Sequence, residues 1–297
     1  MSRLTIMVGI PGSGKDIIIK KYYSKDTVIL SSDDLRVELY GYEDQTHNAE
    51  VFAEMNRRAK EAGKVGAHTI YNATNINRGR RVALAQDMKK YYDEIEVVVC
   101  ICPIDVLLER NKTREERHLP EEKLRQMIKS IQLPVIYEYP YSRITYYSTG
   151  RKGQLEIDKL GELKTYEQHN KYHSEPLGLH IERVANACSS NIMAYTAARY
   201  HDLGKPFCKT VDDEGYYHFI SHPAVSAYMY ISDIMNRFNG TFTNELDIMF
   251  LIEIHDYIFN FDSFEAMKSK LNKKYKGLKE EFFVALEMLT KADRLRP

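Results

Sequence analysis

Three groups of residues in this 297-residue chain have types and spacing suited to chemistry. The first is Gly9-Ile10-Pro11-Gly12-Ser13-Gly14-Lys15-Asp16, which fits the phosphate-cradling pattern G-x-x-x-x-G-K-[ST] everywhere except its last position. Glycines let backbone N–H groups approach phosphate oxygens, here at Gly12, Ser13 and Gly14, and Lys15 would reach the β and γ phosphates of a nucleotide. Asp16 stands where a hydroxyl usually ligates Mg²⁺. A carboxylate beside a triphosphate is repelled unless a cation lies between them, so Asp16 reads as a direct metal ligand; the other reading is a degraded loop with little hold on nucleotide. The second group is Ser31-Ser32-Asp33-Asp34-Leu35-Arg36. On a helix, Asp33 and Arg36 share one side. Asp33 could orient a hydroxyl and take its proton while Arg36 holds a phosphate of the acceptor, or Asp33 could simply cap the helix. The third group lies in the second half: His180, the adjacent pair His201-Asp202, His222, His255 and Asp293. Imidazole and carboxylate side by side can turn to one divalent cation.

These residues need elements to position them. Leu4–Ile10, Thr27–Ser31, His68–Ala73, Glu96–Ile101 and Ile144–Ser148 read as strands separated by charged stretches of helical period, which predicts a parallel sheet with helices on both faces. Ligands in such a sheet sit at the carboxyl ends of strands, where the glycine loop, Ser31–Asp34 and Asn72–Asn75 all fall. From about Tyr166 onward helical period takes over. The His and Asp residues lie within or at the edges of separate apolar-periodic helices, as ligands converging inside a helical bundle should, with Gly204 stopping the helix that carries His201-Asp202. The boundary is placed near Gly153, giving segments 1–152 and 153–297.

Two basic stretches complete the first half. Asn75 with Asn77-Arg78-Gly79-Arg80-Arg81 could contact an acceptor strand or form a polar loop and a solvated helix start. Arg110 and Arg114 fall one turn apart on a helix restarted by Pro120, where they could close over phosphates and neutralise transition-state charge, or merely cover a solvated face.

Taken together, G-x-P-G-S-G-K, S-x-D-D-x-R after the second strand, A-T-N after the third, and R-N-x-x-R before a Pro-led helix resemble the phage-type polynucleotide 5′-kinases over the first half of the chain. That resemblance implies ATP, or another NTP, with Mg²⁺ as donor. It implies Lys15 on the β and γ phosphates, Asp33 as general base for a 5′-hydroxyl, Arg36 on the acceptor phosphate, and Arg114 with Arg110 as lid arginines. Two positions depart from the pattern together, Asp16 for the loop hydroxyl and Asn72 for an acidic residue on the third strand, as if the carboxylate had changed sides.

The order H…HD…H…H…D resembles the HD phosphohydrolase superfamily. The expected architecture is thus an α/β P-loop kinase domain followed by an all-α HD-type domain with one or two divalent metal ions. By this resemblance His180, His201, Asp202 and Asp293 hold a first metal, and His222, His255 and Asp202 a second. Lys205 would touch the scissile phosphate and His173 is a further substrate contact; His169 and His218 are read as structural. The pairing implies RNA end repair acting on RNA ends, tRNA among them, with a functional link to an RNA ligase. Two alternatives stay open: hydrolysis of small nucleotides beside a small-molecule P-loop domain, and a P-loop half that only binds.

Composition sets bounds. Lys+Arg and Asp+Glu both number 42, so no global field draws nucleic acid and any such binding uses a local patch. Cys100, Cys102, Cys188 and Cys208 lack zinc spacing and read as reduced core residues. No apolar run approaches a membrane span, and the chain reads as intracellular, in the cytoplasm (the host's, if phage-encoded), with room for a homo-oligomer.

Overall fold

The computed structural model describes residues 1–42, 45–114, 118–138, 140–150, 154–171, 174–237 and 243–295. The chain divides into two compact units, one of Met1–Leu124 with Gln132–Gly150, the other of Arg125–Ile131 with Arg151–Pro297. Gly153, where composition suggests the joint, lies outside the described residues.

The first unit is built on five parallel strands: β1 (Arg3–Val8), β2 (Val28–Ser31), β3 (His68–Asn72), β4 (Glu94–Ile101) and β5 (Arg143–Ser148), in the order β2-β3-β1-β4-β5. Val97 to Ile101 are buried without a break. A run buried on both faces needs helices on both sides, and parallel strands need crossovers to supply them. Helices α1 (Lys15–Tyr22), α2 (Ser32–Tyr40), α3 (Asn48–Lys64), α4 (Arg78–Met88) and α5 (Ile104–Lys112) follow successive strands or helices; α6 (Glu121–Ser130) follows Pro120 and from Arg125 onward counts with the second unit. Met7, Ile18, Ile19, Ile70, Val98 and Cys100 form a core cluster under α1 that fixes the start of that helix at the carboxyl end of β1. All four cysteines are buried and none is in a disulfide.

The second unit is mainly helical. A 3₁₀ helix (Glu156–Thr165) leads to α7 (Leu177–Ala187), α8 (Ile192–Tyr200), the short α9 (Lys205–Cys208), α10 (His222–Arg237) and α11 (Thr243–Ile254). A second 3₁₀ helix (His255–Asn260) then precedes α12 (Phe264–Lys274) and α13 (Glu280–Arg294). The unit is not wholly helical as expected: β6 (Thr210–Val211) and β7 (Tyr217–His218) pair antiparallel. Their turn is made by Asp212, whose carboxylate accepts from the N–H groups of Glu214 and Tyr216, and by Gly215 at φ +86°. Local Asx-turn chemistry thus overrides the helical trend. Asp233 in α10 binds the first 3₁₀ helix by accepting from Glu156 and Ile157 N–H at 2.9 and 3.0 Å, and from the Tyr200 hydroxyl at 3.0 Å. Among the described residues, no helix is long and apolar enough to cross a membrane.

Candidate active sites

In the first unit, the glycine loop joins β1 to α1 with Gly12 and Gly14 at φ +86° and +81°. Gly14 caps α1 in the left-handed region, and a Cβ there would sit 2.8 Å from Thr149. A Cβ on Gly9 would sit 2.4 Å from Ser13 Oγ. Both glycines are therefore required by conformation or by close approach. The first-turn amides of α1 face the loop, where the helix dipole favours an anion. Lys15 Nζ donates to Gly9 O at 2.9 Å and more weakly to Ile10 O at 3.4 Å. Burial lowers its pKa against the pull of Cys100, Asp16 and Asp33, and Arg114 adds to the lowering.

Asp16 is exposed on the first turn, and Asn72 Nδ2, from the end of β3, donates to Asp16 Oδ1 at 3.0 Å. The two residues that break the sequence pattern are hydrogen-bonded partners. The other amide atom, Asn72 Oδ1, is buried without a hydrogen-bond partner. Arg36 is only 3% exposed. Its guanidinium gives Nη1 to Asp33 Oδ1 at 2.8 Å and Nη2 to Asn48 Oδ1 at 2.6 Å. The cap of α2 is Ser31, whose hydroxyl accepts from Asp34 N–H at 3.2 Å, so Asp33 is not the cap and remains partly exposed.

Several polar residues of this edge serve the framework. Asn75, at φ +46°, donates to Met7 O at 2.7 Å and stitches β1 to the end of β3. Arg78 and Arg81 are buried on Glu138, with Arg78 Nε at 2.5 Å and Arg81 Nη2 at 3.1 Å from its carboxylate. They also donate to Leu133 O, Gln132 O and Asn75 O. Neither reading of this basic run holds for them: they are neither a solvated face nor open to an acceptor strand. Only Arg80 of the three is exposed. Arg110 donates to Gly12 O at 3.0 Å and Thr149 O at 2.6 Å, which braces the loop. Helix α5 ends at Lys112, so Arg114 lies beyond it and does not share a helical face with Arg110 as its spacing suggested.

In the second unit, His180 (α7), His201-Asp202 (after α8), His222 (first residue of α10), His255 (after α11) and Asp293 (α13) come together. His180, His201, Asp202 and Asp293 form one group with ligand atoms within 4.8 Å of each other, and Asp202, His222 and His255 form another. Asp202 spans the two. Its Oδ2 faces His180 Nε2 at 3.2 Å and His201 Nε2 at 3.3 Å, while Oδ1 faces His222 Nε2 at 2.9 Å. Gly204 does not stop a helix in the left-handed conformation, for its φ is −74°. It is glycine because a Cβ would lie 2.6 Å from His222 O, so its absence lets α10 bring His222 against the His-Asp turn.

Three of the rings are oriented identically. The Nδ1 atoms of His201, His222 and His255 lie 2.7, 2.9 and 2.8 Å from the carbonyls of Ala198, Phe219 and Ile252, each three residues earlier. A carbonyl only accepts, so Nδ1 carries a hydrogen and Nε2 is the atom left to face the cluster, the orientation of metal-binding histidines. His180 Nδ1 instead faces the Glu175–Arg183 ion pair. Asp202 Oδ2 is buried with no hydrogen bond of ordinary geometry despite these neighbours. Converging ring nitrogens and a shared carboxylate fit divalent cations.

Charges follow the same division. Burial disfavours a charged His201 ring, but Asp202 and Asp293 outweigh it and push its pKa up to about 10; His180 shifts in the same direction for the same reasons. Asp202 and Asp293 are held well below the carboxylate range despite burial. Burial lowers His255. Lys205, also buried, lies 2.7 Å from Asp202 Oδ2 and donates to Gln168 Oε1 at 2.9 Å.

Sequence reasoning did not select Gln168, Glu175, Arg183 or Asp256. Arg183 is three residues after His180 on one helix and Asp256 makes a second His-Asp dipeptide, both visible signals; Gln168 and Glu175 are brought in by loops. His173 lies outside the described residues. His218 pairs with Asp212 at 2.7 Å on the exposed hairpin, and His169 stacks on Tyr216.

A family model described as an AAA domain, AAA_33, matches residues 4–134. The five-stranded parallel sheet and glycine loop of the first unit fit an α/β P-loop kinase domain. No curated protein matches. Among solved structures, a chain of the Pnkp1/Rnl/Hen1 complex is 21% identical with a TM-score of 0.35, over 40% of this chain and 42% of that one. This chain therefore spans less than half the length of that relative. A candidate kinase from Chloroflexus aurantiacus is 16% identical with a TM-score of 0.40, over 50% of this chain and 85% of that one. A sugar kinase from Janibacter sp. HTCC2649 is 16% identical with a TM-score of 0.35, over 50% and 86%.

Proposed function

We propose that the chain is a bifunctional RNA end-repair enzyme: a 5′-hydroxyl kinase in residues 1–152 and a metal-dependent phosphohydrolase of the HD type in residues 153–297, removing a 2′,3′-cyclic phosphate or a 3′-phosphate. The observation that carries this reading is the presence, in one chain, of a phosphate loop beside an Arg-braced aspartate and of a buried two-part His/Asp cluster built around Asp202.

At the kinase site, ATP with Mg²⁺ supplies the transferable phosphoryl group and neutralises its charge. The amides of Gly12 and Gly14 hold donor phosphates, the Ser13 N–H leaves the Ile10 carbonyl to join them, and Lys15 leaves the Gly9 and Ile10 carbonyls to reach them. Asp33 accepts the proton of the 5′-hydroxyl. Arg36, buried between Asp33 and Asn48, acts by aiming that carboxylate rather than by gripping the acceptor. Arg114 is the candidate lid cation, whereas Arg110 keeps the loop in shape. The Asp16–Asn72 bond supports a carboxylate exchanged between loop and strand: Asp16 holds the metal, and Asn72 orients Asp16.

At the second site, His180, His201, Asp202 and Asp293 would hold one cation, and Asp202, His222 and His255 another. Two such ions lower the pKa of a water and screen phosphate charge. Lys205, already within the buried cluster, neutralises the phosphate oxygens during attack. The products, a 5′-phosphate and a free 3′ end, are those an RNA ligase consumes, and this makes a ligase the natural functional partner. The test compares an RNA ending in 5′-hydroxyl and 2′,3′-cyclic phosphate with free mononucleotides bearing the same groups, in a panel of divalent metals with labelled ATP. Turnover of the RNA ends supports the reading; turnover of mononucleotides alone replaces it with small-nucleotide metabolism.

A further inference from the structure

The second cation position is short of charge as drawn so far. His180, His201, Asp202 and Asp293 bring two carboxylates to the first ion, whereas His222 and His255 share only the remaining oxygen of Asp202. Neutral imidazoles alone leave a buried divalent charge largely uncompensated, which the low-dielectric interior penalises.

Asp256, directly after His255, supplies what is missing. It turns Oδ2 to His222 Nε2 at 3.5 Å and Oδ1 to His255 Nε2 at 3.4 Å, and the two ring nitrogens are 3.4 Å apart. Ligands at ~2.1 Å from a tetrahedral ion lie roughly 3.4 Å from one another. The two ring nitrogens have that spacing, and the Asp256 carboxylate presents one oxygen to each of them, while Asp202 Oδ1 lies 2.9 and 3.9 Å from the same two nitrogens.

A second observation points the same way. Asp256, His255 and Asp293 also fall within 4.8 Å of one another, so two carboxylates crowd one end of the cluster. Carboxylates that close repel unless cations lie among them.

We propose that Asp256 is a ligand of the second cation and that this ion is resident in the protein before substrate arrives. The proposal rests on the metal-centre reading above. Asp202, Asp256 and Asp293 together give three negative charges against two divalent ions, leaving one positive charge to attract a phosphate. Asp256, with a side chain 37% exposed, is at the rim where that phosphate would enter.

The test is metal content. Full-length protein is loaded with Mn²⁺ without nucleotide, gel-filtered, and counted by atomic emission. The expected result is two ions per chain for wild type, one for Asp256→Asn and two again for Asp256→Glu. The single ion kept by Asp256→Asn shows that the variant is folded. Two ions in both wild type and Asp256→Asn would overturn the role of Asp256 while leaving the metal centre intact. One ion in wild type would overturn the resident second cation. None in wild type would overturn the metal-centre reading itself, and the proposal with it.

Discussion

The two candidate sites use polar residues in opposite ways. At the phosphate-loop edge, most arginines and amides that could meet a ligand are engaged by the protein's own framework: Arg36 by Asp33 and Asn48, Arg78 and Arg81 by Glu138, Arg110 by Gly12 and Thr149, Asn75 by Met7. At the His/Asp cluster the framework holds the far side of each of three rings, the Nδ1 atoms of His201, His222 and His255, and leaves their Nε2 atoms facing Asp202. A phosphate loop binds with backbone amides, so its side chains are free to brace it. A metal centre binds with side chains, so the backbone must brace them.

The comparison can be broken most severely at Glu138. Its carboxylate neutralises two buried guanidiniums, and Glu138→Ala should cost about 3–5 kcal/mol of stability, the scale of leaving buried charge unpaired. Denaturant melts of the full chain check this, with Arg80→Ala, an exposed neighbour, as the near-neutral control. A small loss would mean that Arg78 and Arg81 are not held as charges. At the other site, Lys205→Met should lower 3′-end processing by about 10²–10³-fold, as removal of one transition-state donor does, while metal content stays unchanged. Loss of metal instead would make Lys205 a support for Asp202.

A milder test sharpens the exchange at the loop. Asp16→Ser and Asn72→Asp should each weaken Mg²⁺-dependent ATP binding by about tenfold, of the order of one charge-assisted contact, and the double substitution should recover most of it. Calorimetric titration of ATP with and without Mg²⁺ reads this directly. A double variant no better than the weaker single removes the compensation idea.

The smallest expected effect is on pH dependence. The folded-state pKa of His201, raised from 6.5 to about 10 by Asp202 and Asp293 against burial, stabilises the metal-free protein fully below about pH 6.5. That contribution is lost as pH rises toward 10. Metal-free protein should melt progressively earlier across this window. Metal-loaded protein, in which a cation replaces the proton, should not, and its metal affinity should rise with pH over the same range.

Much of this was legible in the chain. The five strands follow from short β-rich runs between charged helical stretches, and His180, His201, Asp202, His222, His255 and Asp293 are spaced on separate elements that pack together. What sequence could not carry was the direction of side chains. Arg78 and Arg81 resemble a solvated basic helix start because Glu138 is more than fifty residues away. Arg114 follows Arg110 at helical spacing, but α5 ends between them. Gly204 resembles a helix stop, whereas its role is set by the approach of His222. Local spacing predicts periodicity, while long-range pairing decides which face a residue serves.

The most direct measurement of the central claim follows both ends of one RNA, carrying a 5′-hydroxyl and a 2′,3′-cyclic phosphate, with labelled ATP and divalent metal, for wild type, Lys15→Ala and Asp202→Ala. The account predicts that wild type labels the 5′ end and clears the 3′ phosphate, that Lys15→Ala loses only labelling, and that Asp202→Ala loses only 3′ clearance. A wild-type protein that clears the 3′ end without transferring label would contradict it, reducing the phosphate loop to a docking module.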